Sequence, residues 1–509
     1  MSAIAVQAGG IEHRAAKVSL VNGLSTVLTL VFQLITVPVC LKYWGKESYG
    51  SWLALMSAFM TIRSIDGGFV LYVGNKLNYL YHKDTEALRS HLASALAGIV
   101  VIGILELVLT GSTFLFRPLA TALGMPDGPG GNLSAQFGLL LLVVSWALSG
   151  SYLGIVHRLL IPAGMMYQAA WWAMAFQIAQ FGAVMAAAIL HLNMLATSLL
   201  FSIAQIGIYV ASALYVRRML PRFCPWLRGA DARLGLSDLR HSLLLTGSNV
   251  VQQCATNGTV LVVAALAGPA SVPVFTTIRT VANLWTSVTT VLTTPLLAEI
   301  VRIHAKGEIH KLLAINEVFW VLVGSTVNLG ALLLYPLLPF LYGLWTGHAV
   351  PLHLPLLCLM LASVIVANAG ALMALHLNGI NSLRIVLGAS LLRAIFGLGC
   401  GALGFPILGV TSFGVGILAG ELAATLLTAR HFIRRELTDK GLRLPAAAFA
   451  PVLLSTGAAL LFFVGTAFGW WGSRWVWLCC VATVAAAFIW GWTALDGAVR
   501  SRLYRLASR

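Results

Sequence analysis

The chain has 509 residues, of which 59% are hydrophobic and 9% charged, and its mean hydropathy is +0.89. That composition excludes a soluble globular domain, which needs far more polar surface, and points to lipid as the solvent. The formal net charge of +16 invites a nucleic-acid reading, but the basic residues lie mostly between apolar segments and on one side of them, so the charge reads as topological and no nucleic-acid partner is expected.

Fourteen segments are long enough to cross a bilayer as helices, at roughly 20 residues each. They cover about 18–41, 50–75, 92–115, 135–156, 168–190, 195–216, 242–267, 270–297, 315–340, 353–378, 384–405, 407–429, 446–469 and 475–495. None alternates like a barrel strand, so the fold class is all-α, a polytopic membrane protein of about 14 transmembrane helices. The opening MSAIAVQAGGIEHRAAK has no compact apolar core or cleavage site, and the first span is expected to stay in place. Of the 32 Lys and Arg, 25 fall on the side of the N-terminus and four (Lys42, Lys46, Arg117, Arg474) on the other. By the positive-inside rule both termini are expected to be cytoplasmic. The remaining three, Arg63, Arg279 and Arg393, lie in mid-span, where each costs roughly 2.5–3.5 kcal/mol even on lenient scales. Such cations usually face a protein interior or a wet cavity and mark the path of an anion.

In chain order, span 1 places Asn22, Thr26, Thr29, Gln33 and Thr36 on one helical face. Span 2 carries Arg63 and, three residues on, Asp66, a spacing that predicts a local ion pair. Asp66-Gly67-Gly68 reads as a kink, a close helix contact or merely a tolerated weakness. Glu106 in span 3 either pairs with an arginine or takes part in proton coupling, and the residues leave both open. Span 7 repeats the polar face with Thr246, Asn249, Gln253 and Thr256. Span 8 extends it with Thr276, Arg279, Thr280, Asn283, Ser287, Thr290 and Thr294. A face of Thr alone would suit interhelical packing; with Arg, Asn and Gln added it suits the wall of a hydrated cavity. Arg393 and Glu421 lie at matching depths in spans 11 and 12, which predicts a structural ion pair. Arg279 has no acid at its depth in a neighbouring span, and a guanidinium fork suits a phosphate.

The chain also repeats itself. GKESYGSW (Gly45–Trp52) after span 1 matches GPASVPVF (Gly268–Phe275) after span 7, 223 residues on. YVRRML (Tyr215–Leu220) ending span 6 matches FIRREL (Phe432–Leu437) ending span 12, at an offset of 217. The organisation predicted is two parallel six-helix lobes, 18–220 and 241–437. A short cytoplasmic N-terminus (1–17) precedes them, an arginine-rich linker (221–240) joins them, and a helix hairpin (446–495) and basic tail (496–509) follow. The seven cysteines have no metal-ligand spacing, there is no phosphate-cradling loop, and no cofactor or metal is expected.

With Gly45–Trp52, the run Ser64-Ile65-Asp66-Gly67-Gly68-Phe69, the turn at Gly268 followed by PLLAEIVRIHAKGE (295–308), and LWTG (344–347), the chain resembles the O-antigen and exopolysaccharide flippases. These are the Wzx-like polysaccharide biosynthesis family of the multidrug/oligosaccharidyl-lipid/polysaccharide exporter superfamily. The resemblance covers nearly the whole chain. It implies two lobes around a central cavity and a substrate of the undecaprenyl-diphosphate-linked oligosaccharide type, flipped from the inner to the outer leaflet. It also implies the bacterial inner (cytoplasmic) membrane as the location, and contact with membrane lipids and with the polymerase and glycosyltransferases of the same pathway. Arg63 and Arg279 would match the basic cavity residues of the related lipid II flippases, and 446–495 their lipid-tail groove. The pattern departs at Asn257, where relatives carry an acid.

The substrate-binding set expected is therefore Arg279, Arg63, Asn283, Asn249, Gln253, Asn22 and Gln33, with Asp66, Glu106, Arg393 and Glu421 as ion-pair or coupling residues. A transporter, not an enzyme, is expected. The alternatives are a multidrug cation antiporter of the same superfamily, which wants acids in its first-lobe cavity, and a membrane-embedded polysaccharide polymerase or ligase, which wants catalytic residues in a large outside loop.

Overall fold

In lipid, every backbone N–H and C=O must find its partner inside the protein, and a helix achieves that within a single segment. The computed structural model describes residues 2–81, 83–115, 131–293, 296–380, 382–441, 446–470 and 474–495, with 497 and 500, and it contains no strand among them. Fifteen helices make up the fold of these residues. They are α1 (Ser2–Ile62), α2 (Ser64–Tyr81), α3 (Thr85–Leu115), α4 (Leu133–Leu160), α5 (Met166–Ile189), α6 (Met194–Met219) and α7 (Ala232–Ala267). After these come α8 (Ser271–Thr293), α9 (Leu296–Ala305), α10 (His310–Thr346), α11 (Leu354–Gly379), α12 (Leu383–Leu408), α13 (Thr411–Leu437), α14 (Ala446–Ala467) and α15 (Arg474–Ala494).

Twelve of these helices are long and apolar enough to cross a membrane. The sequence suggests fourteen spans for two identifiable reasons. Span 1 and the first half of span 2 run together as α1, with a break at Gly45, while the second half of span 2 continues as α2, which is not among the twelve. Span 8 is helical as α8, but its polar face keeps it out of the apolar set. Large apolar side chains such as Val101, Val108, Leu403 and Ile407 remain exposed, as a lipid-facing surface requires.

Residues Met1–Pro273 and Val274–Arg509 form two compact units. In the first, α1 packs on α5, where Thr29 Oγ1–H donates to Gln177 Oε1 at 2.8 Å and the rings of Phe32 and Phe181 stack 5.0 Å apart. Helix α2 packs on α3 and α7, around a core that includes Phe69, Leu77, Leu92, Leu96 and Leu159. The boundary drawn from the repeat falls at residue 241, whereas the packing boundary falls at Pro273, because α7 lies directly on α2. Gly68 permits this: a Cβ there would stand 2.1 Å from the backbone nitrogen of Thr246. The double glycine thus serves a close helix contact, one of the three readings open from the sequence.

The two repeated turns share a conformation. Gly45 has φ 75°, ψ 177°, and Gly268 has φ 80°, ψ 165°, values open to glycine and strained for any residue with a Cβ. The turns also touch, since a Cβ on Gly50 would fall 1.8 Å from the carbonyl oxygen of Pro269. The two glycines stand at the positions that the sequence match aligned.

In the second unit, α12 and α13 are joined by the pair drawn from sequence depth. Arg393 Nε and Nη2 donate to the two carboxylate oxygens of Glu421, each at 2.7 Å. Gly420 lets the helices close, with its missing Cβ only 3.0 Å from the Cα of Arg393. Helix α14 packs on α11, and α15 on α14 and α10. Asn328 Nδ2–H donates to Ser455 Oγ at 3.0 Å, and Trp477 Nε1–H to the carbonyl of Leu332 at 2.8 Å. These bonds dock the hairpin on the unit.

The pair is half-buried, with the Arg393 side chain 37% and that of Glu421 13% exposed, so removing one member is expected to cost about 1.5–3 kcal/mol, the range for hydrogen bonds to charged groups. Glu421→Ala is expected to lower the thermal midpoint of the purified protein. The double change Arg393→Met with Glu421→Met should restore most of the loss, and a double-mutant cycle read by thermal unfolding checks both.

Candidate functional site: a cationic, aromatic pocket in the first unit

The pocket begins where α1 gives way to α2. Helical bonding continues through the junction, as Arg63 N–H donates to the carbonyl of Phe59 at 2.9 Å, and the guanidinium is aimed inward. It finds a ring: its central carbon lies 4.2 Å from the centroid of Trp146 and 5.6 Å from that of Phe59. Trp146 sits on a π-helical stretch of α4, Trp146–Ser151, the kind of local insertion that often accompanies a functional site. Gly150 makes the ring's position possible, since a Cβ there would lie 2.1 Å from the indole.

The same tryptophan corrects the expectation for Asp66. Among the described residues, no ion pair within 4 Å forms between Arg63 and Asp66. Trp146 Nε1–H donates to Asp66 Oδ2 at 2.9 Å, and Ser151 Oγ–H donates to the same oxygen. The guanidinium meets the π-face of the indole while the carboxylate takes its edge N–H. One side chain thus engages both ions and keeps the local pair from closing. Asp66 is 2% exposed, and two donors satisfy the carboxylate in place of the arginine.

A second cation enters from α4. Arg158 lines the pocket together with His157, and Gly74 of α2 leaves room for it, its missing Cβ 3.2 Å from Arg158 Cδ. Phe176 of α5 and Tyr209 of α6 stack with ring centroids 4.2 Å apart, and Trp146 meets Tyr209 edge-on at 6.1 Å. His157 Nδ1 is hydrogen-bonded to Ser212 Oγ at 2.8 Å. Helix α7 contributes the amides: Asn249 and Gln253 both line the cavity. Gly67 is fitted to Asn249, as a Cβ there would lie 2.1 Å from its Nδ2. Asn257 Nδ2–H donates to Gln253 Oε1 at 2.6 Å. The cavity measures about 440 Å³, within the roughly 300–1,000 Å³ typical of small-ligand sites.

The structure therefore brings Arg63, Asp66, Asn249 and Gln253 together, all within one unit. The other candidates lie elsewhere. Gln33 is half-buried on α1, and the side chain of Asn22 lies outside the described residues, as does Thr294. Arg279 belongs to the second unit, with its guanidinium 5.5 Å from the ring of Phe275, and Asn283 is exposed on the same helix. Glu106 is fully buried in α3, and both its carboxylate oxygens lack a hydrogen-bond partner; it forms no ion pair within 4 Å among the described residues. The polar face of α1 is partly consumed by packing against Gln177. Hydroxyls of Thr280, Ser287 and Thr290 on α8 bond back to carbonyls of their own helix.

Sequence reasoning misses Arg158, Trp146, Tyr209 and Phe176. Arg158 falls among the charges flanking span 4, and the rings read as ordinary apolar filling. The usable signal is Gly74 and Gly150, small residues facing positions occupied by large ones.

No family model matches the chain, and no curated protein matches it. Solved structures do. The chain is similar to an inward-facing multidrug-resistance MATE transporter of the MOP superfamily, with TM-score 0.64 and 13% identity over 82% of this chain and 98% of that one. It is equally similar to the lipid II flippase MurJ in an inward closed conformation, with TM-score 0.64 and 14% identity over 96% of this chain and 99% of that one. A mutant of the Vibrio cholerae MATE transporter VcmN matches with TM-score 0.57 and 18% identity, over 84% and 98%. At such identities the likeness defines the fold. It is the fold seen in these MATE and MurJ structures, on a multi-pass membrane protein.

Proposed function

We propose that the protein flips an anionic lipid-linked oligosaccharide of the polyprenyl-diphosphate type across the cytoplasmic membrane, from the inner to the outer leaflet, for polysaccharide assembly. The observation that carries this reading is the pairing of Arg63 and Arg158 in one cavity, where the single carboxylate among the described lining residues, Asp66, is already engaged by Trp146 and Ser151. Two guanidinium groups suit a diphosphate. Asn249 and Gln253 suit sugar hydroxyls, and the rings of Trp146, Tyr209 and Phe176 suit the apolar faces of sugars. The polyprenyl tail needs no cavity and stays in lipid. MurJ, a lipid II flippase, shares the fold and is matched over almost its full length, which is consistent with that substrate class. Arg279 is proposed as a second anionic contact, in the second unit, and both termini are proposed to be cytoplasmic.

A multidrug cation antiporter is the second reading, and Glu106 is the observation in its favour, a fully buried acid without a hydrogen-bond partner. Cells lacking the gene separate the two. Full-length oligosaccharide-lipid trapped on the cytoplasmic leaflet is the expected result. An unchanged lipid pool, with altered resistance to lipophilic cations, would favour the antiporter.

A further inference from the structure

The second unit gathers three metal-ligating side chains that none of the transport argument uses. His304 ends α9, His376 ends α11 and Glu436 ends α13. His304 Nδ1 lies 3.5 Å from Glu436 Oε2, and His376 Nε2 lies 3.8 Å from the same oxygen. All three ligand atoms fall within 4.8 Å of one another, and the two imidazole rings sit at 64° with centroids 5.1 Å apart. We propose that His304, His376 and Glu436 form a binding site for a divalent transition metal, Zn²⁺ foremost, that ties together the ends of α9, α11 and α13.

The donor set fits the ion. Two imidazoles and one carboxylate are a common three-ligand shell for Zn²⁺, with bonds of about 2.0–2.2 Å, leaving a fourth position for water or another donor. Ligand atoms around such a centre stand about 3.4 Å apart at tetrahedral angles. The two separations to Glu436, 3.5 and 3.8 Å, are close to that spacing, and no two of the three ligand atoms are more than 4.8 Å apart, so side-chain movements of about an ångström would close the shell.

The setting fits as well. His376 is fully buried, and the side chain of Glu436 is 9% exposed. Around them lie Ile303, Leu372, Met373, Phe432 and Leu437, members of one apolar cluster, and a low-dielectric shell strengthens coordination and restricts access to other ligands. His304 supplies the way in. It is the most exposed of the three, at 30%, while its Nδ1 is shielded from solvent and makes no hydrogen bond. Soft-metal and hard-cation sites are poor matches, because no thiol belongs to the cluster and only one carboxylate contributes.

The coordination would hold the three helix ends in one arrangement, so the site would act as a clamp on the second unit. In the proposed topology this end of the helices faces the cytoplasm.

The test uses the full chain, purified in detergent, stripped with a chelator and then titrated with Zn²⁺ alone. The expected result is one Zn²⁺ per chain retained after desalting, with a rise in thermal midpoint on saturation. His304→Ala, at the most exposed ligand, should weaken binding at least about tenfold while leaving the metal-free midpoint unchanged. Co²⁺ in place of Zn²⁺ should give the visible absorption of a four-coordinate centre, lost in Glu436→Gln. The chain has 12 histidines, so the comparison with the variants decides. Equal Zn²⁺ retention by wild type, His304→Ala and Glu436→Gln would overturn the proposal, as would wild-type protein that retains none. Should His304→Ala fail to fold, Glu436→Gln with the Co²⁺ spectrum tests the same coordination.

Discussion

Arg63→Ala is expected to insert and fold like the wild type and to lose about 10- to 100-fold in affinity for a diphosphate-linked lipid. The range follows from about 1.5–3 kcal/mol for a hydrogen bond to a charged group, at 1.4 kcal/mol per tenfold. Insertion should survive because a mid-span arginine is a cost that the alanine removes. What the variant gives up in the resting protein is the cation–π contact with Trp146, 4.2 Å away, worth about 0.5–2 kcal/mol. Arg63→Lys keeps the charge but lacks the flat fork that lies against the indole, so an intermediate loss is expected. Arg158→Ala should behave alike, and the double variant should lose more than either alone. Binding of polyprenyl-diphosphate oligosaccharide to purified protein, measured beside expression level and thermal midpoint, checks all four. A cation carrier predicts the opposite sign, because removing a pocket arginine would favour a cationic ligand.

The second large effect is on stability. Gly68→Leu is expected to destabilise the first unit by about 3 kcal/mol, at the upper end of overpacking costs, and to reduce the yield of folded protein. Its Cβ alone would stand 2.1 Å from a backbone nitrogen of α7, and a backbone atom cannot rotate away. Gly67→Ala meets instead the amide end of Asn249, also at 2.1 Å. A side chain moves more cheaply, so that variant should fold better but bind substrate less well. Gly207→Ala, with nothing within 4 Å of its Cβ, is the neutral control, and thermal unfolding of the three proteins ranks them. Equal midpoints for Gly68→Leu and Gly207→Ala would contradict the close α2–α7 contact.

The contrast between these two glycines and the arginines shows what a sequence discloses in a membrane protein. Arg63 is legible because a charge in an apolar span is costly and therefore purposeful. Asn249 and Gln253 are legible as part of a polar helical face. The Arg393–Glu421 pair is legible because equal depth in a helical hairpin is nearly a contact. Arg158 is not, since a cation at a span's end satisfies the positive-inside rule whether or not it turns inward. The failed Arg63–Asp66 pair depends on Trp146, eighty residues beyond Asp66, and nothing in the i,i+3 spacing carries that. Thr29 reads as part of a cavity wall and finds its partner in Gln177, the ordinary ambiguity of a threonine face. The cluster of His304, His376 and Glu436 is hidden because its members sit on three helices whose ends meet only in the folded unit.

Transport itself is the most direct test. In proteoliposomes holding a labelled polyprenyl-diphosphate oligosaccharide, the wild-type protein should carry the lipid between leaflets, and the Arg63→Ala/Arg158→Ala protein should not. Lipid that stays in its leaflet while wild-type protein exchanges a lipophilic cation for protons or sodium would contradict the flippase reading and establish an antiporter in its place.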